Sequence, residues 1–217
     1  YAKYLSKEGW SLDLISQNKA RSLESKNKLS YDKAKFHIFD LGMKESINSI
    51  VNNFETPDLI VANAGIAING KIGDIMQDER DYFYYLMCGG VIDLIEGFIP
   101  KMINKGNGRI IIISSIGAKA PMPKSSLYSS IKAGIYAYGK SISTELKNKN
   151  ISVTVSLPGY VRTQAHERVG LDHLIKKVPS WMWVNPEQVV LETEVASLKG
   201  KSEIVPGKVY KLSLIHI

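Results

Sequence analysis

Tyr128 stands four residues before Lys132 in SSLYSSIKAG, residues 125–134, among small residues that suit the start of a helix. At that spacing two side chains share one helix face, a turn apart. A phenol has a pKa of about 10, too high for an efficient base at neutral pH. A nearby ammonium favours the phenolate and draws that value down. The pair is therefore a candidate proton-transfer device. Spacing alone does not single it out, because Tyr31 with Lys35 and Tyr136 with Lys140 repeat it. Ser115 does. It lies thirteen positions before Tyr128, at the end of the apolar run GRIIIISS, whereas Asn18 and Pro123 hold the equivalent places before Tyr31 and Tyr136. A hydroxyl there would hydrogen-bond a substrate oxygen and hold it near the phenol. The trio is thus a candidate for passing a proton to or from a substrate oxygen.

Such residues need a frame that brings them together. SLDLIS (11–16), KFHIFD (35–40), DLIVANAG (58–65), GRIIIISS (108–115) and ISVTVSLPG (151–159) read as strands. The fourth is a continuous branched-aliphatic run, the mark of a strand buried on both faces. Pro158 and Gly159 stop the fifth. Helical patterns fall at about 42–54, 78–104 and 126–148, with shorter ones near 164–177 and 186–199. The alternation predicts an α/β fold: a doubly wound parallel sheet, Rossmann-like, in three α/β/α layers, with residues 1–217 as a single domain. Ligands in such folds bind at the carboxyl ends of strands. That rim carries Ser16 and Gln17, Asp40, Asn63 to Gly65, Ser114 and Ser115, and Pro158 to Thr163.

Composition narrows the partners. An apolar share of 44% suits a chain with a real core. The lysines behind the net charge of +7 are spread along the chain, which suits a solvated surface better than a nucleic-acid patch. A single cysteine, Cys88, excludes an internal disulfide and suits a reducing compartment such as the cytoplasm. No apolar run is long enough to cross a bilayer, and no signal-peptide pattern is visible.

NAG (63–65), ISS (113–115), YSSIK (128–132) and LPGYVRT (157–163), in that order and spacing, resemble the short-chain dehydrogenase/reductase family, over residues 1 to about 200. The resemblance implies an NAD(P)-dependent oxidoreductase acting on a carbonyl or secondary alcohol, with Ser115, Tyr128 and Lys132 catalytic. It implies that Lys132 also bonds the nicotinamide ribose. Asn63, Ala64 and Gly65 would lie beside the adenine ribose, and Asp40 would meet the adenine amino group. Past Pro158 and Gly159, the backbone near Val161 and the hydroxyl of Thr163 would hold the carboxamide. It further implies a first strand and a glycine-rich turn ahead of YAKYLSKEGW, which reads as the second half of the first helix. The cofactor reading follows from LISQNKAR: a carboxylate at that strand end would repel a 2′-phosphate, and here stand Ser16, Gln17 and Asn18, then Lys19 and Arg21. NADP(H) is thereby favoured over NAD(H).

The chain also departs from the family. Met87 falls where the family usually carries an asparagine that holds a relay water behind the lysine, and a thioether cannot donate a hydrogen bond. Gly89 and Gly90 would loosen the helix there. A nucleotide-binding scaffold with little turnover is thus the alternative function. The resemblance implies that residues 164–185 occupy the family's substrate-lid region, where Trp181, Met182 and Trp183 either cover an apolar substrate or anchor the lid; His166 and His173 read as surface residues. The resemblance implies a homodimer or homotetramer, and the aromatics of DYFYYLM at 81–87 suit either such an interface or an intrachain core. VPGKVYKLSLIHI departs from the family's glycine-rich finish and suggests a membrane-facing or oligomer-forming segment.

Overall fold

Runs rich in Ile, Val and Leu become strands because branched side chains suit an extended backbone and pack well on a pleated surface. The computed structural model describes residues 1–20, 22, 33–66, 68, 72–121, 123–163 and 178–213. Its strands are β1 Leu12–Ser16, β2 Ala34–Ile38, β3 Leu59–Ala62, β4 Gly108–Ile113, β5 Ile151–Ser156 and β6 Glu203–Ile204. Every strand pairing is parallel. Ile110 at the centre of β4 stands opposite Ile60 of β3 and Val153 of β5. The pairings form two ladders, β1–β2 and β3–β4–β5–β6. Among the described residues no strand joins the two ladders. Their core is nevertheless shared: Ile15 of β1 and Phe39 beyond β2 pack on the same cluster as Ile60 and Ile110.

The helices are α1 Ala2–Lys7, α2 Lys44–Asn53, α3 Gln77–Tyr84, α4 Gly90–Lys105, α5 Ser126–Glu145, α6 Pro186–Leu198 and α7 Lys208–Ser213. Alternation along β4 separates the layers. Ile110 and Ile112 point into a core with Ile50 of α2, Ile95, Phe98 and Met102 of α4, and Ile131, Ile135 and Ile142 of α5. Arg109, one residue out of phase, reaches the opposite layer, where it meets Glu194 of α6 at 2.7 Å. The buried hydroxyls of Ser156 and Thr193 join β5 to α6 on that side at 2.8 Å.

Two departures from the sequence pattern shape the site. The long helical stretch predicted over 78–104 is broken by a π-helical turn at Tyr85–Gly89, which buries Met87 and Cys88. The glycine pair permits it: a Cβ on Gly90 would stand 2.9 Å from the Tyr85 carbonyl and 3.0 Å from that of Leu41. Single π turns of this kind are frequent at functional sites. The second departure is the tail. Its described part forms the edge strand β6 and helix α7 and folds onto the chain's own loop after β5. The Tyr210 hydroxyl accepts from the Tyr160 amide at 3.0 Å and donates to the Met182 carbonyl at 2.6 Å. Its ring lies where a Cβ on Gly159 would be, 2.1 Å from that point. Lys211 adds an ion pair with Glu192 at 2.7 Å. The DYFYYLM aromatics also turn inward: Tyr82 bonds Asp40, Tyr85 donates to Asp93 at 2.8 Å, Phe83 packs on the core, and Tyr84 is exposed.

Tyr136 and Lys140, which repeat the spacing of Tyr128 and Lys132, are spent on β6. Tyr136 donates to Glu203 at 2.7 Å, and Lys140 and Lys119 approach the same carboxylate at 3.2 Å and 2.7 Å. Burial alone would raise the Glu203 carboxyl, but hydrogen bonds from Lys119, Tyr136 and Lys140 outweigh it and hold it at about 2.

Tyr210→Phe keeps the ring and removes both hydroxyl bonds, at a cost of about 1–3 kcal/mol. The expected result is a lower Tm and faster hydrogen exchange at the Tyr160 amide; unchanged exchange there would show that Tyr210 does not pin the loop. For Glu203, a carboxyl depressed by folding gives stability that is complete above its ordinary value of 4.5 and disappears as pH falls toward 2. Glu203→Gln should lower Tm at pH 7 by roughly 2–4 °C. The gap to the unmodified protein should close between pH 4.5 and pH 2; a gap constant across that window would mean that the carboxylate charge is not what holds β6.

Candidate active site

Site construction begins where β4 ends. The Ser114 hydroxyl donates to the Lys132 carbonyl at 2.8 Å, tying the strand end to α5. Ser115 opens a short 3₁₀ turn, Ile116–Ala118, and its oxygen accepts from the Gly117 amide at 3.1 Å. That bond fixes the hydroxyl, which also hydrogen-bonds the phenol of Tyr128 in the first turn of α5. Lys132, one turn further, is buried. Its ammonium donates to the Ile113 carbonyl at 3.0 Å and lies 5.9 Å from the centre of the Tyr128 ring. The three predicted catalytic residues are therefore brought together.

Their electrostatics correct one expectation. Burial pushes the Tyr128 phenol up, and the Ser115 hydrogen bond recovers only part of the shift. Burial likewise pulls Lys132 down to about 8, with Cys88 opposing. The lowering of the phenol predicted from the nearby lysine is not realised, because both groups lose hydration together and the ammonium is aimed at a carbonyl. Tyr31 lies outside the described residues.

Met87 is buried in the π turn directly behind this lysine. A Cβ on Gly65 would stand 3.5 Å from the Met87 sulfur and 3.8 Å from the Lys132 ammonium. The end of β3, the π turn and α5 thus converge on Gly65. The protein itself does not require a bare α-carbon at this point, since those contacts would be ordinary ones and Gly65 is exposed. A bare strand end beside an ammonium fits a hydroxyl-rich group such as a ribose. Asn63 is exposed next to it, while Ala64 packs on the core.

The remaining predicted cofactor residues fall into two groups. At the ends of β1 and β2, Asp40 accepts from the Gly42 amide at 2.9 Å and from the Tyr82 hydroxyl at 3.0 Å. The same hydroxyl lies 3.1 Å from the Gln17 side-chain oxygen. Burial and the Asp40 carboxylate push Tyr82 up to about 12, so it remains a donor. Ser16 accepts from the Asn18 amide at 3.2 Å and holds the turn after β1. Arg21 lies outside the described residues.

At the end of β5, the Pro158 carbonyl accepts from Ile116 at 2.9 Å and ties that loop to the Ser115 turn. Gly159 is glycine because Tyr210 fills the space of a side chain. Val161 bridges Val184 in parallel, through Tyr160 and Arg162. The Val161 amide and carbonyl therefore face the other way, as a carboxamide partner would need. Thr163 is exposed.

In the lid region, residues 164–177, with His166 and His173, lie outside the described residues. Met182 packs in the cluster around Leu157, and the Trp183 indole donates to Val178 at 3.2 Å while its ring lies 5.6 Å from that of Tyr160. Both act as anchors; Trp181 is exposed. Sequence reading missed Tyr82, Tyr210 and the Ile113 carbonyl. The first stood in view within an aromatic-rich helix, but nothing local marks its partner forty-two residues away. No group of three or more His, Cys, Asp or Glu among the described residues could hold a metal, and no described helix is long and apolar enough to cross a membrane.

Comparison with known proteins agrees with this geometry. The family model for short chain dehydrogenases matches residues 1–173. An uncharacterized oxidoreductase of Staphylococcus epidermidis is 28% identical over 170 residues, which is 76% of this chain and 74% of that protein. Oxidoreductase UcpA of Escherichia coli is 28% identical over 168 residues, 69% of this chain and 64% of that one. Among solved structures, a short-chain dehydrogenase from Sphingobium yanoikuyae in complex with NADPH superposes with a TM-score of 0.88 at 20% identity, covering 100% of this chain and 86% of that chain. A bulky-bulky ketone specific alcohol dehydrogenase from Comamonas testosteroni gives 0.82 at 17% identity, covering 100% and 85%. At such identity the structures speak for the fold, and the family model speaks for descent: the chain belongs to the short-chain dehydrogenase family of NAD(P)-dependent oxidoreductases acting on CH–OH groups.

Proposed function

We propose that the protein, taken as one domain over residues 1–217, interconverts a carbonyl and a secondary alcohol with NADP(H), using Tyr128 as general acid and base. The observation that carries this reading is the meeting of Ser115, Tyr128 and Lys132 at the carboxyl end of β4, beside the bare strand end at Gly65. The nicotinamide, when bound, supplies or accepts the hydride. Ser115 holds the substrate oxygen. Tyr128 gives that oxygen a proton in reduction and takes one in oxidation. A phenol raised by burial is well kept in its protonated form, which suits the donor role at neutral pH. Lys132, with Asn63, Ala64 and Gly65, would hold a ribose and orient it. Val161 and Thr163, placed by Pro158 and Gly159, would hold the carboxamide.

The preference for NADP(H) rests on the end of β1. Ser16, Gln17 and Asn18 stand there, Lys19 follows, and Asp40, which shares the Tyr82 hydroxyl with Gln17, is turned to Gly42 and Tyr82. Exposed Trp181, next to the anchoring Met182 and Trp183, suits a substrate with apolar bulk. A homo-oligomer is supported by exposed Tyr84 alone among the α3 aromatics. The cytoplasm agrees with the single, free cysteine.

A second reading, a scaffold that binds nucleotide with little turnover, draws support from Met87, whose buried thioether replaces a hydrogen-bonding group behind Lys132.

Tyr128→Phe should cut turnover by at least about a hundredfold while cofactor binding, followed by nicotinamide fluorescence, is retained. Full activity in that variant would reject the assignment, and an inactive parent that gains turnover through Met87→Asn would favour the scaffold. Steady-state kinetics with both cofactors should give a kcat/KM for NADPH at least about tenfold above that for NADH, a difference of about 1.4 kcal/mol. Equal values would remove the argument from the β1 end.

A further inference from the structure

A cavity of about 410 Å³ opens beside Tyr128, within the size range of small-ligand sites. Part of its wall is aliphatic: Ile68, Ile72 and Ile75 from the segment before α3, and Leu127 from the start of α5. Ile72 is 88% exposed, an aliphatic side chain left in water at the cavity wall. The rest of the wall is cationic and hydroxylic. Arg80 and Lys124 line it together with serines, and among the described residues no acidic side chain does. Ion pairs among the described residues use neither cation.

The guanidinium is held rather than loose. The Arg80 guanidinium is fixed by a bond to the Ile75 carbonyl at 2.6 Å and by another to the Gln77 side-chain oxygen, both uncharged acceptors. A guanidinium has five N–H donors, so some remain for an oxyanion. Lys124 sits at φ +66°, in the left-handed region. The other described non-glycine residue there is Asn150, a type that tolerates it; a lysine rarely does. Backbone strain of this kind clusters where a side chain has work to do.

We infer that this cavity takes the far end of the substrate, and that the substrate is an aliphatic oxo or hydroxy carboxylic acid. The carbon to be reduced or oxidised lies at Tyr128, the aliphatic body covers the isoleucines and Leu127, and the carboxylate meets Arg80 and Lys124. The alternatives fit less well. An amine would face two like charges. A sugar would leave four aliphatic side chains without apolar contact. A wholly apolar ketone would strip water from two cations with nothing in exchange. The reacting end of this assignment rests on the oxidoreductase reading; the anionic end does not.

Calorimetric titration of the full chain with octanoate and with neutral octanamide tests the anionic end without turnover. Octanoate should bind about tenfold or more tightly, the worth of a charge-assisted hydrogen bond. Arg80→Gln should remove most of that advantage, and Lys124→Gln, at an exposed position, about threefold. Tyr128→Phe should keep it. Equal binding of acid and amide, or undiminished octanoate binding in both charge variants, overturns the site. Lys124→Gln keeps the test decisive should Arg80→Gln misfold. Reduction of 7-oxooctanoate against its methyl ester then separates the two ideas. A kcat/KM at least about tenfold higher for the acid is expected. Equal turnover of acid and ester sinks the anionic site and leaves the oxidoreductase reading intact. Octanoate discrimination without turnover of either does the reverse.

Discussion

A buried ammonium sets the terms for the rest of the site. Lys132 is 5% exposed, and its charge has one described hydrogen-bond partner, the carbonyl of Ile113. Burying a charge with so little compensation is costly, and the group answers by giving up its proton more readily. The surrounding elements accept that cost because each also packs there. Ser114 ties β4 to the lysine's own carbonyl, the π turn sets Met87 near it, and the loop after β3 carries a glycine, Gly65, whose outer side is open. Loosening any of these contacts would let water reach the ammonium and restore an ordinary lysine.

The rim opposite the lysine is held by tyrosines rather than by the strands themselves. Tyr82 draws Asp40 and Gln17 into one contact across the ends of β2 and β1. Tyr210 does the equivalent for the loop after β5, through the Tyr160 amide and the Met182 carbonyl. Both tyrosines also dictate a glycine: a Cβ at Gly42 or Gly159 would lie 2.1 Å from the respective ring. A glycine in a cofactor loop is readily explained by the approach of a ligand. At Gly159 the chain supplies its own reason.

Much of this was legible in the sequence because the signals were local. Strand runs such as GRIIIISS and ISVTVS carry their period and composition within a few residues, and the parallel class follows from their alternation with helices. The meeting of the predicted trio was legible because Ser115 ends one such run. What escaped depends on distant partners. The π turn is a choice among helical hydrogen-bond patterns that Gly89 and Gly90 permit but do not require. The inward turn of Tyr82 depends on Asp40, and the docking of the tail depends on a glycine fifty-one positions before Tyr210.

Helix α5 makes the limit of local reading plain. It carries two tyrosine–lysine pairs eight residues apart, each at the same internal spacing. Tyr136 and Lys140 meet Glu203, so the Tyr136 phenol, already raised by burial, is raised further by its bond to the carboxylate. A phenol beside a carboxylate is locked as a donor and serves structure. Tyr128 meets Ser115, a hydroxyl that can donate as well as accept. Its hydrogen bond stabilises the phenolate and works against burial. Only the second arrangement suits the two-way proton transfer proposed for Tyr128. What separates the proposed proton donor from a strut in the fold therefore lies outside the helix, in which strand end its face happens to meet.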